Sequence, residues 1–142
     1  MLRHAGPWFL TPVLNVRAIL AVRRGNADEA IALTRESLTR IRDLNDKFAF
    51  VYALVALAAA ATLKRDDAWA ARILGALDAV TERTGATVVD HWVKDVREQA
   101  ERDVRARLGP DRWSRARAAG RQTSLDSLLR SIDSTLPSRG RG

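Results

Sequence analysis

The side chains best suited to catalysis or metal binding are few and scattered in this chain. It contains two histidines, His4 and His91, and no cysteine. His91 lies near Asp90 and Asp95, but a zinc site needs more ligands on one face than this group offers. As a general base, His91 would need a nucleophile or a substrate pocket within reach, and the sequence indicates neither. We therefore predict no metal site and no cofactor.

Neither serine chemistry nor nucleotide binding has a motif in this sequence. No serine stands in a nucleophile-elbow motif, and helix capping is a simpler role for serines in polar surroundings. The Gly-x-x-x-x-Gly-Lys-Ser/Thr loop that holds the phosphates of ATP is also absent. The sequence therefore predicts that the chain is not an enzyme.

Arginine is the most abundant side chain that could bind a charged partner. The chain has 24 basic and 17 acidic residues, which gives a net charge of +7. Guanidinium groups recognise phosphate well, so an alternative function is a helical protein that contacts nucleic acid. The candidate phosphate contacts are Arg105, Arg112, Arg115, Arg117 and Arg121. Acidic residues dilute the basic segment from Arg97 to Arg121, and these five arginines are its less diluted members. A solvated face with salt bridges is the simpler interpretation of the segment, so nucleic acid is not the partner we expect first.

A skeleton of leucine and alanine repeats at a spacing of 40 residues and indicates how the helices are arranged. The first copy is Leu14, Ala18, Ala21 and Ala30, and the second is Leu54, Ala58, Ala61 and Ala70. This pattern is typical of two antiparallel helices that approach closely, because neither has bulk where they cross. Such pairs cannot bury their apolar faces alone and must stack. We predict an all-α fold of antiparallel helical hairpins, stacked as a short α-solenoid.

Turn and capping residues divide the chain into two hairpins and a C-terminal helical extension. Asn26 and Glu29 have the spacing of a capping box. Asp66 or Asp67 is the expected N-cap of the fourth helix, and Gly85 stands where a glycine ends a helix. The predicted domain covers residues 1–136, with repeats at about 8–46 and 47–85 and the extension at 86–136. We expect residues 137–142 to be a disordered tail.

The extension is predicted to contain three helices. The first runs from about Val88 to Leu108. Asp111 is the expected N-cap of the second helix, and Gly120 is its expected end. Thr123 is the expected cap of the last helix.

Two runs in the C-terminal part resemble a known family. They are Ala70-Ala71-Arg72-Ile73-Leu74-Gly75-Ala76 and, later, Ala119-Gly120-Arg121 followed by Thr123-Ser124-Leu125. They resemble the C-terminal tetratricopeptide-like (TPR-like) region of large bacterial signalling ATPases, including LuxR-type regulators and cyclase-linked ATPases. The resemblance covers roughly residues 8–135. It implies a TPR-like arm that serves signalling and transcriptional regulation as a sensor, scaffold or oligomerisation element, while ATP hydrolysis and DNA binding lie in other domains.

The predicted function is non-catalytic binding of a protein or peptide, or of other domains of a larger regulator. We expect the partner on a concave face lined mainly by the first helix of each hairpin. The proposed contacts are Asn15 and Arg17 on the first helix, with Tyr52 and Trp69 nearby. Aromatic side chains often anchor partners at interfaces, although packing between helices is the alternative role for Trp69.

An apolar seam marks the last predicted helix. Its members are Leu125, Leu128, Leu129 and Ile132, at positions i, i+3, i+4 and i+7. The seam has two interpretations: it folds back to cover the stack, or it pairs with a second copy and forms a homodimer.

Membrane insertion is not expected from the sequence. The longest uncharged apolar stretch, Phe48 to Leu63, is shorter than the roughly 20 residues of a membrane span. The N-terminus also lacks the cationic and apolar regions of a signal peptide. With the absence of cysteine, these features favour a cytoplasmic protein.

Overall fold

Alanine, leucine and arginine are strong helix formers, and the computed structural model of the chain is helical accordingly. It describes residues 2–44 and 46–135, with the side chains of residues 12–42 and 46–135. The helices in these ranges are α1 (Leu2–Arg23), α2 (Ala27–Leu44), α3 (Lys47–Leu63), α4 (Asp67–Thr84), α5 (His91–Leu108), α6 (Pro110–Arg121) and α7 (Leu125–Thr135). Because no strand occurs in the described ranges, the all-α prediction is confirmed. The predicted tail at 137–142 lies outside the described residues.

Predicted capping residues lie at the start of α2 and at both ends of α4. The Asn26 side chain accepts a hydrogen bond from the Glu29 N–H at 3.2 Å and donates one to its carboxylate at 3.0 Å. Asp66 accepts from the Trp69 N–H at 3.3 Å, and Gly85 closes α4 in the left-handed conformation with φ 76°. The resulting short turns place α2 beside α1 and α4 beside α3, each pair antiparallel.

Two predicted starts in the extension are wrong. Helix α5 begins at His91 rather than near Val88, because Asp90 has an extended backbone and is the N-cap residue. Val88 is buried in the segment before the helix. Helix α6 begins at Pro110, where the fixed φ and the missing N–H of proline suit a first turn. Asp111 therefore lies inside the first turn of α6 and is not its cap.

The predicted cap of the last helix is also wrong, by one residue. The Ser124 hydroxyl accepts a hydrogen bond from the Ser127 N–H at 3.1 Å, which is the bond of an N-cap residue. Thr123 instead donates its hydroxyl to the carbonyl of Ala119 at 3.1 Å, at the end of α6.

The repeated small-residue skeleton lies in the core. All six of its alanines have no solvent exposure, at positions Ala18, Ala21, Ala30, Ala58, Ala61 and Ala70. Helix α3 contacts α1, α2, α4 and α5, which explains why it is almost wholly apolar. Helix α5 packs on α3 and α4 much as α3 packs on α1 and α2, so the extension continues the packing of the repeats.

Helix α6 packs chiefly against α4, through two glycines. A Cβ atom at Gly75 would overlap the carbonyl oxygen of Arg117, and one at Gly120 would overlap the carbonyl oxygen of Arg72. Only glycine permits so close an approach of two helix backbones. Gly120 is thus a buried packing residue within α6 and not the predicted end of the helix.

Candidate binding groove

Helices α1, α3 and α5 line a groove along one side of the molecule. It comprises two adjoining pockets of about 600 Å³ and 290 Å³, and both are lined by Trp92. We call these two pockets together the groove. Its lining includes Val16, Ile19 and Arg23 from α1, Phe48, Tyr52, Ala59 and Leu63 from α3, and Trp92, Asp95, Val96 and Asp103 from α5.

Helical spacing and small side chains produce this groove. On α5, Trp92, Val96 and Asp103 recur at intervals that place them on one helix face. Ala59 on α3 and Ala100 on α5 line the larger pocket, and their methyl groups fill little of the space between the helices. Alanine, which packs closely in the core, therefore leaves a depression between α3 and α5.

The groove combines exposed apolar side chains with a charged rim. Val16, Phe48 and Leu63 are all exposed although they are large and apolar. Arg23 and Asp95 stand among the residues of the larger pocket, so its rim carries both signs of charge. An apolar centre with a polar rim is the usual composition of a surface that binds another protein.

Tyr52 secures the smaller pocket by joining α3 to the segment before α5. Its hydroxyl donates a hydrogen bond to the Asp90 carboxylate at 2.8 Å and accepts one from the Val89 N–H at 3.3 Å. Burial raises the pKa of Tyr52, the Val89 N–H opposes this, and the Asp90 carboxylate raises it further. The phenol therefore stays protonated and keeps its bond to Asp90.

Asn15 holds the walls of the groove together from inside. Its amide donates to the Ala49 carbonyl at 3.0 Å, and its oxygen accepts from the Ser37 hydroxyl at 2.7 Å. These bonds join α1 to α3 and to α2. Asn15 lines the smaller pocket but is almost fully buried, whereas Arg17 is exposed on α1 beside the lining residue Val16.

Trp69 of α4 lies outside the groove. It is 3% exposed, and its indole N–H donates to the Ser131 hydroxyl of α7 at 3.0 Å. The structure thus gives Trp69 the packing role that was the alternative to partner binding, and Trp69 lines neither pocket. Of the four predicted contacts, Asn15 and Tyr52 line the groove.

The sequence did not single out Trp92, Phe48 or Leu63 as binding residues. Trp92 belongs to an apolar stripe of α5 that also contains the buried Val93, so the pattern indicates core. Phe48 and Leu63 belong to a helix that is apolar on every face, and periodicity cannot distinguish its exposed positions from its buried ones.

The seam of the last helix packs within the chain. Helix α7 contacts α2, and three seam residues, Leu128, Leu129 and Ile132, are buried. Leu125 is partly buried against the same core. Two ion pairs fix the contact, Arg35 with Asp133 and Arg42 with Asp126 at 3.0 Å. This arrangement favours the interpretation in which the seam covers its own chain over a homodimer through the seam.

Three of the five arginines suggested as phosphate contacts pair with carboxylates of the same chain. The pairs are Arg105 with Glu101, Arg117 with Asp78 and Arg121 with Glu82. Arg112 and Arg115 are exposed on α6. A nucleic-acid surface needs a continuous basic stripe, and these pairs interrupt it.

No family model, no curated protein and no solved structure matches this chain. Within residues 2–44 and 46–135, no helix has the length and apolar character needed to cross a membrane. Among the side chains of residues 12–42 and 46–135, no three histidine or carboxylate groups are placed to hold a metal ion.

Proposed function

We propose that the chain is a non-catalytic, TPR-like helical-repeat module that binds a protein or peptide segment in the groove. The observation that carries this proposal is the exposure of Val16, Phe48 and Leu63 along a concave surface with charged residues beside them. Large apolar side chains gathered around one depression are typical of interaction sites.

The relative directions of the helices support the repeat character. Asn15 of α1 bonds to Ala49 near the start of α3, and Tyr52 of α3 bonds to Asp90 just before α5. At the opposite end, Arg107 of α5 donates to the Thr62 carbonyl of α3 at 3.2 Å. The three groove helices therefore run in the same direction, as the first helices of successive stacked hairpins do.

The resemblance to the helical-repeat arms of bacterial signalling ATPases supports the same proposal. Both sequence runs that carry the resemblance contain a glycine of the α4–α6 contact, Gly75 in one and Gly120 in the other. In such an arm, the groove would receive a partner or another domain of a cytoplasmic transcriptional regulator. The openness and length of the groove suit a peptide segment better than an enclosed small molecule.

Two leucines provide a matched test of the groove. Leu63 and Leu20 are each 43% exposed, but only Leu63 lines the groove. We would select binders from a displayed library of random peptides on the unaltered chain, then measure their affinity for Leu63→Arg and Leu20→Arg. An arginine at position 63 replaces an exposed apolar side chain of the groove by a charge, so we expect affinity to fall by about tenfold or more. Leu20→Arg should bind as the unaltered chain does.

The proposal fails if the selected peptides bind both variants equally well, or if selection returns no binder. Circular dichroism and thermal unfolding of the two variants provide the folding control. Because both leucines are exposed, we expect both variants to retain the helical fold.

A further inference from the structure

The smaller pocket of the groove brings aromatic rings and carboxylates together. Phe48, Tyr52 and Trp92 line it with the carboxylates of Asp46 and Asp90, around a volume of about 290 Å³. Aromatic rings attract cations through the negative potential of their faces, and a carboxylate adds a full charge of the same sign. The lining contains no basic side chain.

One ring of this pocket already lies near a cation of the chain. The ammonium nitrogen of Lys47 is 5.8 Å from the centre of the Phe48 ring, within the range of a cation–π contact. Lys47 is not part of the pocket lining, and Phe48 is 53% exposed, so the ring remains accessible.

The two carboxylates are held in place and retain capacity for a further partner. An oxygen of Asp46 accepts from the Ala49 N–H at 3.0 Å, and an oxygen of Asp90 accepts from the Tyr52 hydroxyl at 2.8 Å. These bonds use one oxygen of each group, and a carboxylate accepts through both. The two carboxylates are thus positioned for a cation before a ligand binds.

We infer that this pocket binds an organic cation, namely an alkylammonium or guanidinium group. The buried apolar side chains of Ile19 and Val93 complete the lining and suit the aliphatic part of such a ligand. The cationic group comes from one of two sources: a lysine or arginine side chain of the bound peptide, or a free organic cation. The first source rests on the proposed function. The net charge of +7 opposes approach of cations, but salt screens this over roughly 8 Å, so local contacts decide the affinity.

The test uses the full chain and two pairs of matched probes. Choline is compared with its uncharged carbon analogue, and N-acetylarginine amide with N-acetylcitrulline amide, which replaces the guanidinium by a neutral urea. Two-dimensional NMR titration follows the indole N–H signal of Trp92. We expect only the charged member of each pair to bind and shift that signal. Equal binding of the neutral analogues overturns the inference.

Variants then locate the site. Phe48→Ala removes an exposed ring, and Asp90→Asn removes a charge while its oxygen can still accept from Tyr52. Each should weaken binding of the charged probes by about fivefold. Val89→Ala is the control, because Val89 is 68% exposed, adjacent to Asp90 and absent from the pocket lining. Unchanged affinity in Phe48→Ala and Asp90→Asn overturns the inference.

The peptides selected on the groove distinguish the two sources. In the first case, an arginine or lysine of the selected peptide is replaced by glutamine. If this change weakens binding to the unaltered chain but has no effect on binding to the Phe48→Ala variant, a side chain of the partner occupies the pocket. If the charged probes bind but the peptides contain no such residue, the ligand is a free cation. If groove-dependent peptides exist and no charged probe binds, this inference fails while the proposed function stands.

Discussion

The groove and the contact between α4 and α6 are both built on small residues, with opposite results. At the α4–α6 contact, Gly75 and Gly120 allow two helix backbones to touch. In the groove, Ala59 and Ala100 leave an open volume of about 600 Å³ between α1, α3 and α5. A small residue on a helix therefore does not by itself predict close packing, because a pocket remains where no other element packs against it.

The charged side chains of the two regions also differ, because those near the α4–α6 contact pair within the chain and those of the groove line an open pocket. Beside the α4–α6 contact, Asp78 accepts from Arg97 at 2.6 Å and from Arg117 at 2.8 Å. These pairs lie within one chain and hold α4, α5 and α6 together. In the groove, Arg23 and Asp95 line an open pocket, where their charges can meet those of a partner. The packed region supports the fold, and the groove provides the surface that we propose for binding.

Two tryptophans give the largest expected effects and separate the two regions. Trp69→Ala empties a buried site between α4 and α7 and should lower the free energy of unfolding by about 3–5 kcal/mol. Trp92 is partly exposed in the groove, so Trp92→Ala should cost less stability and weaken the selected peptides instead. Chemical denaturation and peptide affinity measure the two effects. The comparison breaks down if Trp92→Ala unfolds the chain and Trp69→Ala leaves it stable.

The second prediction concerns glycine. Gly120→Ala forces a Cβ atom against the Arg72 carbonyl, and we expect a loss on the order of 3 kcal/mol. Gly85→Ala is the control, because a Cβ there meets no atom within 4 Å. Its cost should be only about 1 kcal/mol, from the left-handed backbone conformation. Equal losses in urea denaturation would show that the α4–α6 contact is not as close as described.

The smallest effect concerns Arg35 and Asp133, one of the two ion pairs that join α7 to α2. The hydrogen bond from Arg35 holds the pKa of Asp133 below its ordinary value, so this carboxylate stabilises the fold where it is ionised. Its contribution is present above about pH 4 and is lost as the pH falls through the lowered pKa. Both side chains are about half exposed, which limits the effect to a few tenths of a kcal/mol. Asp133→Asn should therefore destabilise the chain slightly at neutral pH and not at acid pH.

Matched denaturation series at both pH values measure this difference. High salt provides the control, since it screens an exposed pair. A loss that persists after the pH has fallen through the lowered pKa of Asp133 would show that this residue acts through packing and not through its charge.

Much of the fold follows from local signals in the sequence. The alanine skeleton indicated the core, and Asn26, Asp66 and Gly85 indicated helix ends, because capping depends on residues within one turn. The predicted start of α5 was too early, because Asp90 is extended and forms the N-cap of the helix. The predicted start of α6 was too late, because Pro110 and not Asp111 opens the first turn.

The candidate site was harder to predict, because exposure depends on distant parts of the chain. Trp69 and Trp92 have similar local settings near helix starts. Trp69 is buried, and its indole N–H donates to Ser131 of α7, a residue 62 positions later in the chain. Gly120 looked like a helix end for the same reason, since its partner α4 is remote in sequence.

The most direct test of the account is to map where a selected peptide binds by amide chemical-shift changes across the full chain. We predict that the largest changes fall on α1, α3 and α5, around Val16, Leu63 and Trp92. Changes concentrated on α2, α4 or α7 would contradict the account, because those helices contribute no residue to the lining of the groove.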